Sequence, residues 1–268
     1  MTRIIFLGTG GGRIVVTSQI RASGGWILEM EKEKLHIDPG PGALVRAKEF
    51  GVSLKSLTGV LVSHSHPDHY TDVEMVIEAM TLQKEKKGVL ICSERVIKGG
   101  DGFKPVISDY FLNKLEKYEI LNPGDKTKIG QIEITATPTE HLEEKGIGFV
   151  FKGLESKIVV GYTSDGEYFK GQENWFKGCD YLILNCLRPR GDYWIKHMNT
   201  EHAKELIGKV KPKLAILTHF GMKMLKANPN IEAKWIQSQT GVETIAAKDG
   251  MVLELGAKEK EGLEKFLK

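Results

Sequence analysis

Six consecutive residues, HSHPDH, contain four side chains that can bind a metal: His64, His66, Asp68 and His69. The segment follows the apolar run TGVLVS, which is typical of a buried strand. Residues two apart in an extended segment point the same way, so His64 and His66 can bind one ion from one side. Pro67 ends strand pairing and turns the chain, so Asp68 and His69 face elsewhere and can serve a neighbouring ion.

Three more residues with metal-binding side chains each follow a strand-like run. His141 comes after IEITATPTE, Asp165 after KIVVGYTS, and His219 after LAILT. Active-site residues collect at strand ends because the sheet fixes their position while the loop exposes them. Imidazole and carboxylate together suit zinc, with manganese or iron as alternatives. We therefore predict a site for divalent metal ions built from seven residues: His64, His66, Asp68, His69, His141, Asp165 and His219.

The pattern H-x-H-x-D-H, followed by H, D and H, resembles the metallo-β-lactamase superfamily. The similarity covers nearly the whole chain, from FLGTG through IDPGPG to the strand before His219. The resemblance implies an α/β fold, an αββα sandwich in which two mixed β-sheets carry helices on their outer faces. It also places the metals at one edge of the sheets.

The resemblance further implies that the seven ligands serve two ions. They would form two groups of three and a bridge: His64, His66 and His141; Asp68, His69 and His219; and Asp165 between them. Asp38 resembles the carboxylate that braces the ligand loop in this superfamily. Two cations about 3.5–4 Å apart can share a water, lower its pKa and clamp the attacking and leaving oxygens. We expect a hydrolase in which a metal-bound hydroxide attacks and Asp68 orients or deprotonates the nucleophile.

One further histidine narrows the reaction. The segment HMNTEHA, which begins at His197, resembles the H-x-x-T or H-x-T segment of a phosphodiesterase branch that includes tRNase Z and the phosphodiesterase of phosphonate breakdown. In that branch a histidine just before a helix contacts the scissile phosphate, and His197 lies 22 positions before His219. The resemblance therefore implies that His197 stabilises phosphoryl charge or protonates the leaving alkoxide. We expect a phosphodiesterase acting on a small phosphodiester or nucleotide.

Two other substrate classes stay open. A carbonyl substrate, as in thioesterases and lactonases of this fold, is the leading alternative, but it has no need of a phosphate-contacting histidine at position 197. Cleavage of RNA at the tRNA 3′ end is the other. Long-armed tRNase Z enzymes insert an arm between the equivalents of His141 and Asp165, whereas only 23 residues separate them here. The residues after His219 also lack the H-x-S-x-R/K continuation of that family.

Four side chains between the strand YLILNC and His197 are candidates for substrate contact. Arg188 and Arg190 could grip a phosphate through two hydrogen bonds each, or they could belong to an ordinary solvated basic loop. Tyr193 and Trp194 could stack on a base, or serve as core or lid aromatics.

The elements that must position these residues recur along the whole chain. Several of the strand-like runs are apolar throughout, so we expect sheets that are covered on both faces. Eleven short runs, rich in β-branched residues and bounded by Gly, Pro, Asp or Asn, predict strands: RIIFL, GWILEM, KLHID, TGVLVSH, GVLIC, IEITATP, GIGFVFK, KIVVGYT, YLILNC, LAILTH and MVLEL.

Helical spacing of apolar residues predicts helices between these runs. They cover about residues 41–50, 71–86 and 200–210, and Asn199 or Thr200 is the expected cap of the last. Residues near 110–117, 229–240 and the lysine-rich C-terminal segment are further candidates. No linker or repeat divides the chain, so we expect a single domain spanning residues 1–268.

Charge, apolar runs, cysteines and the glycine loop limit the classes of protein to which this chain can belong. A net charge of +3 is too small to indicate a nucleic-acid partner by itself. No apolar run is long enough to cross a membrane, and the three cysteines, without a C-x-x-C pair, fit buried thiols in a reducing cytoplasm. Arg13 stands where a dinucleotide fingerprint needs glycine, so the loop at 8–12 is predicted to be a tight turn beside the metals. His36 and His202 are predicted to lie outside the site, and a homodimer is expected from the resemblance alone.

Overall fold

Two seven-stranded β-sheets face each other in the computed structural model of this chain, which describes residues 2–82, 86–100, 102 and 104–256. The strands of the first sheet are β1 (Thr2–Phe6), β2 (Trp26–Met30), β3 (Glu33–Ile37), β4 (Gly59–Val62), β5 (Val89–Cys92), β6 (Lys117–Ile120) and β14 (Val252–Leu255). They lie in the order β14-β1-β2-β3-β4-β5-β6, antiparallel from β14 to β3 and parallel from β3 to β6.

The second sheet repeats this arrangement. Its strands are β7 (Lys126–Ile129), β8 (Ile132–Pro138), β9 (Ile147–Gly153), β10 (Val159–Tyr162), β11 (Tyr181–Asn185), β12 (Leu214–Thr218) and β13 (Thr244–Ala246). They lie in the order β13-β12-β11-β10-β9-β8-β7, with antiparallel pairing from β7 to β10 and parallel pairing from β10 to β13.

Helices cover the outer faces of both sheets. Those in the described residues are α1 (Arg13–Ser18), α2 (Ala43–Glu49), α3 (Pro67–Tyr70), α4 (Val73–Thr81), α5 (Glu94–Lys98), α6 (Asp109–Leu112), α7 (Thr200–Val210), α8 (Met222–Ala227) and α9 (Pro229–Thr240). Apolar residues of α2 and α4 pack on the first sheet, and those of α7, α8 and α9 pack on the second. The predicted αββα sandwich is therefore confirmed.

The central core lies between the two sheets and is built from apolar and aromatic side chains of both. Trp26 of the first sheet meets Phe151 of the second edge-to-face, with ring centroids 5.9 Å apart. Phe149 and Phe151 are fully buried. Burying side chains of this size contributes about 1.5–3 kcal/mol each. This core holds the two sheets together, so the loops at their shared edge have fixed relative positions.

All eleven predicted strands are present, and three further strands were missed: β6, β7 and β13. The helices predicted at 200–210 and 229–240 are confirmed, and Asn199 caps α7 by accepting a hydrogen bond from the His202 N–H. The helix predicted near 41–50 is α2.

Two predicted helices differ in the structure. The helix predicted over 71–86 is shorter: Val73–Thr81, with Leu82 already outside helical geometry. The helix predicted over 110–117 is a single turn, because Lys117 begins β6 and pairs with β5. The predicted C-terminal helix lies outside the described residues. Within them, no helix is long and apolar enough to cross a membrane.

Candidate metal centre

The seven predicted ligands lie at one edge of the sandwich, because the strands that carry them end there. β8 and β10 each pair antiparallel with β9, so they run in the same direction as each other and as β12. His141, Asp165 and His219 therefore leave the second sheet at a common edge. β4 of the first sheet ends opposite them, and its loop carries His64 and His66.

Three histidine nitrogens converge in the first ligand group, formed by His64, His66 and His141. His66 Nδ1 lies 3.1 Å from His64 Nε2 and 3.0 Å from His141 Nε2. The opposite nitrogen of His141, Nδ1, lies 2.9 Å from the Lys196 carbonyl, which can only accept. His141 in its neutral form therefore carries its proton on Nδ1 and directs the Nε2 lone pair at the other rings.

The second ligand group is formed by Asp68, His69 and His219. Pro67 opens the single turn of α3, which carries Asp68 and His69. The His69 ring also lies beside the first group, with its centroid 4.1 Å from that of His64. Asp68 Oδ2 lies 3.7 Å from His219 Nε2 and 3.9 Å from His69 Nε2. Both groups of three that the resemblance implied occur among the clusters of candidate ligand atoms, together with two overlapping clusters: His64, His69 and Asp165, and His141, Asp165 and His197. The assignment of these residues to two ions stays a prediction.

Asp165 lies between the two groups. Its Oδ2 is 3.1 Å from His219 Nε2 and 3.6 Å from His69 Nε2, and Asp165 also clusters with His64 on the other side. Asn185 donates to Asp165 Oδ1 at 2.6 Å, which fixes the carboxylate with Oδ2 pointing into the centre. This is the position from which one carboxylate can reach two ions.

Asp38 braces the ligand loop through hydrogen bonds, as predicted. Its Oδ2 lies 2.9 Å from His69 Nδ1 and accepts hydrogen bonds from the Tyr162 and Ser63 hydroxyls, each at 2.7 Å. Its Oδ1 accepts from the Ser63 backbone N–H at 2.7 Å. Because the Ser63 hydroxyl donates its hydrogen bond to Asp38, its oxygen can accept one from His64 Nδ1 at 3.0 Å. Both His64 and His69 are thereby held with Nε2 as the free nitrogen.

The electrostatics differ between the two groups. Burial lowers the pKa of His64 and His66, and it lowers the pKa of His141 to about 4. Burial also acts to lower the pKa of His69, but Asp165 and the neighbouring carboxylates outweigh it and hold that pKa well above its usual value. The first group therefore offers neutral nitrogens, whereas the second concentrates negative charge that favours a cation.

The donors fit divalent metal ions. His69 Nε2 is buried and has no hydrogen-bond partner among the described residues, while Asp165 Oδ2 lies 3.6 Å away. A buried, unpaired ring nitrogen facing carboxylates is unfavourable unless a cation lies between them. Nitrogen and carboxylate donors in two groups of three suit zinc, manganese or iron.

The glycine loop before α1 lies against the second group. A Cβ on Gly11 would lie 2.2 Å from His219 Cδ2, so only glycine leaves room for that ring. The loop is held to the end of β12, because the Gly11 N–H donates to the Phe220 carbonyl at 3.1 Å and the Phe220 N–H donates to Thr9. The prediction of a tight turn beside the metal site agrees with this packing.

His197 lies beside His141 and Asp165, and its side chain is 14% exposed. Its Nε2 is 3.9 Å from Asp165 Oδ2, and its ring centroid is 4.8 Å from that of His141. Its Nδ1 donates to the Ile195 carbonyl at 3.0 Å, which directs Nε2 inward. His36 is buried within β3 with Nε2 2.8 Å from the Gly24 carbonyl, and His202 lies on α7, so both are outside the ligand groups.

The four candidates for substrate contact, Arg188, Arg190, Tyr193 and Trp194, differ in their surroundings. Arg190 forms an ion pair with the buried Glu232 at 3.2 Å and lies over the Trp235 ring, so its guanidinium has an intramolecular partner. Arg188 pairs with Asp192 at 3.3 Å and lies under the Trp194 ring at 4.8 Å. Tyr193 and Trp194 are 59% and 49% exposed, and the His197 backbone N–H donates to the Trp194 carbonyl at 3.1 Å.

Several supporting residues were missed from the sequence. Tyr162 and Asn185 reach the site from the ends of β10 and β11, and Glu143 lies in the loop after His141. Glu143 had a usable signal, because it stands two residues after a predicted ligand. The other two had none, since each ends an apolar run as an ordinary strand residue.

A family profile decides the assignment. The profile described as Beta-lactamase superfamily domain matches residues 33–220, which contain all seven predicted ligands. The chain belongs to this superfamily. The prediction of a metallo-β-lactamase superfamily member is confirmed, and the chain is a hydrolase of that superfamily, whose fold implies divalent metal ions.

Two relatives can be aligned in sequence with nearly the whole chain. An uncharacterised protein of Methanocaldococcus jannaschii is 40% identical over 255 residues, covering 94% of each chain. A protein of Methanopyrus kandleri named Ribonuclease Z is 24% identical over 290 aligned residues, covering 92% of this chain and 96% of its own.

Solved structures show the same fold. The metallo-β-lactamase fold protein YhfI of Bacillus subtilis superposes with a TM-score of 0.75 at 19% identity, covering 94% of this chain and 98% of its own. A diphosphatase of the PhnP family superposes with a TM-score of 0.70 at 18% identity, covering 95% and 98%. At these identities the likeness concerns the fold.

Proposed function

We propose that this chain is a binuclear metal-dependent phosphodiesterase that acts on a small phosphodiester or nucleotide. The observation that carries the proposal is His197, whose Nε2 lies 3.9 Å from Asp165 Oδ2 and clusters with the ligand atoms of His141 and Asp165. A phosphoryl group bound at the centre would have a histidine N–H beside it. A carbonyl substrate would make no use of this residue.

The seven proposed ligands would hold two ions. His64, His66 and His141 would hold one ion, Asp68, His69 and His219 the other, and Asp165 would bridge them. Two zinc ions are the proposed cofactors, and manganese or iron would suit the same donors. When bound, such ions polarise phosphoryl oxygens and lower the pKa of a water, which supplies the nucleophile.

The chain's own residues supply orientation and proton transfer. Asp68, whose side chain is 17% exposed, faces the centre and is placed to orient the attacking water and accept its proton. His197 has its Nδ1–H committed to the Ile195 carbonyl, so its protonated form presents the second N–H at Nε2. That N–H would donate to a phosphoryl oxygen or protonate the leaving alkoxide.

A small substrate is supported by the short connections around the site. β8, β9 and β10 are joined by residues 139–146 and 154–158, so the described chain has no arm between His141 and Asp165. Trp194, with Arg188 beneath its ring, offers the outer face for a nucleobase.

RNA cleavage is a second candidate. The relative named Ribonuclease Z covers 92% of this chain, which favours a polynucleotide substrate. An enzyme acting on a small phosphodiester and an enzyme cleaving RNA would share the metal centre and His197. They would differ in the size of the substrate that the surrounding loops admit.

The test is turnover of bis(p-nitrophenyl) phosphate with the bound metal counted in each sample. Wild type should turn over with about two metals per chain. His197→Ala should keep its metal and lose about 10²–10⁴-fold in kcat, whereas His202→Ala, on the neighbouring helix, should retain wild-type kcat. Cyclic nucleotides and tRNA precursors would then separate the two candidates. A metal-replete protein that hydrolyses thioesters or lactones but no phosphodiester would refute the proposal.

A further inference from the structure

Two buried carboxylates, one from each sheet, hold the loop that carries His64 and His66. Asp38 follows β3 of the first sheet and accepts hydrogen bonds from the Ser63 backbone N–H and hydroxyl. Glu143 lies between β8 and β9 of the second sheet and bonds Ser65 in the same way. Its Oε2 accepts from the Ser65 N–H at 2.8 Å and from the Ser65 hydroxyl at 3.4 Å.

The burial of Glu143 needs an explanation, because acidic side chains in loops are usually exposed. Glu143 is 2% exposed, whereas Glu144 beside it is exposed to solvent. Arg95 of α5, itself 9% exposed, places Nε 3.8 Å from Glu143 Oε1. Burying a carboxylate is unfavourable unless charge and hydrogen bonds compensate. Here Ser65 supplies hydrogen bonds to Oε2, whereas Oε1 has no hydrogen-bond partner among the described residues and faces the charge of Arg95.

Glu143 also joins the two loops that carry the first ligand group. Its carbonyl accepts from the Gly146 N–H at 3.1 Å, which closes the loop after His141. The next residue, Ile147, donates its N–H to the Ser63 carbonyl at 3.0 Å. The loop with His141 and the loop with His64 are therefore bonded to each other at two points, Glu143 and Ile147.

We propose that Glu143, with Arg95 as its counter-charge, is a positioning residue that fixes the geometry of the first ligand group. The Ser65 N–H belongs to the peptide bond between His64 and Ser65, so holding it fixes the directions in which His64 and His66 leave the backbone. Glu143 acts through Ser65 and belongs to none of the clusters of ligand atoms in the described residues. The inference rests on the proposed metal role of these histidines and is independent of the substrate.

The test measures metal affinity and coordination directly. Zn²⁺ affinity would be measured by chelator competition, and Co²⁺-loaded protein would report coordination geometry through its visible spectrum. Glu143→Ala should weaken binding of one of the two ions by about 10–100-fold and change the Co²⁺ spectrum. Glu144→Ala, a matched change at the exposed neighbour, should leave both readouts at wild-type values.

Two conservative variants separate positioning from charge and from folding. Glu143→Gln keeps the length and one acceptor for the Ser65 N–H, so it should restore affinity to within about threefold of wild type. Glu143→Asp keeps the charge but is one methylene too short, so it should resemble the alanine variant. This pair gives the answer even if Glu143→Ala does not fold.

Wild-type affinity and an unchanged Co²⁺ spectrum in both Glu143→Ala and Glu143→Asp would overturn the inference. So would a Glu143→Gln variant that loses as much affinity as Glu143→Asp, because charge rather than hydrogen bonding would then be the property that matters. A wild-type protein that binds neither Zn²⁺ nor Co²⁺ would instead refute the proposed function, whereas intact metal binding with no phosphodiester turnover would leave the role of Glu143 standing.

Discussion

Replacing Asp38 by asparagine should change which ring nitrogen of His69 carries a proton. Asp38 Oδ2 lies 2.9 Å from His69 Nδ1, and a carboxylate can only accept there, so the Nε2 lone pair is directed into the centre. In Asp38→Asn the side-chain oxygen can still accept from the Ser63 N–H, which leaves the amide NH₂ facing His69. His69 Nδ1 must then accept, and its proton moves to Nε2, the predicted ligand atom.

The expected magnitude follows from these contacts. Loss of a partner that orients a metal-binding histidine costs about 10–100-fold in metal affinity, which is about 1.4–2.7 kcal/mol. In the metal-free protein, the contacts of Asp38 Oδ2 with His69, Tyr162 and Ser63 also lose their charge assistance. The free energy of unfolding should therefore fall by at least about 1.5–3 kcal/mol, the contribution of one such bond. The backbone adds no strain, because Asp38 has φ 52° and asparagine tolerates this left-handed region.

The assay is chelator competition for each metal, together with ¹⁵N NMR of the imidazole nitrogens in the metal-free protein, recorded above the raised pKa of His69 so that its ring is neutral. Asp180→Asn is the matched control, because Asp180 accepts the Val159 N–H at the opposite end of β10. It should lose stability but no metal affinity. An Asp38→Asn protein that binds both ions with wild-type affinity, or that keeps the His69 proton on Nδ1, would refute the tautomer argument.

Three further changes have expected outcomes. Gly11→Ala should abolish binding of one ion, counted by metal analysis, because its Cβ would overlap the His219 ring. Trp194→Ala should raise KM for nucleotide substrates about 5–150-fold with metal content unchanged, since a stacked base contributes about 1–3 kcal/mol. Between pH 7 and pH 4, metal-free wild type should lose about 3 kcal/mol more unfolding free energy than His36→Gln, measured by denaturant titration.

The sign of the pH effect follows from burial, which lowers the pKa of His36 to about 4 from an ordinary 6.5. As the pH falls through 6.5, the unfolded chain binds this proton first, so stability that is full above pH 6.5 is lost towards pH 4. Equal pH slopes for wild type and His36→Gln would contradict this. Two bound metals in Gly11→Ala, or an unchanged nucleotide KM in Trp194→Ala, would contradict the other two predictions.

The interior strands could be predicted from the sequence, whereas most of the edge strands could not. The eleven predicted strands include every interior strand of both sheets, because burial on both faces demands long apolar runs. The three missed strands, KYEI of β6, KTKI of β7 and TIA of β13, each form a sheet edge. Edge strands are short and often charged, since such edges resist pairing with other chains. Their strand conformation comes from pairing with one neighbouring strand and not from a local pattern of apolar residues.

The sequence by itself determined the residue types of the metal centre, because ligand chemistry requires histidine and aspartate at strand ends, and those positions are readable from the pattern around His64, His141 and His219. Only the tertiary structure decided what surrounds them. The burial of Glu143 against Arg95 and the contact of Tyr162 with Asp38 join residues far apart along the chain. Such contacts depend on how the two sheets face each other, and no local spacing encodes that geometry.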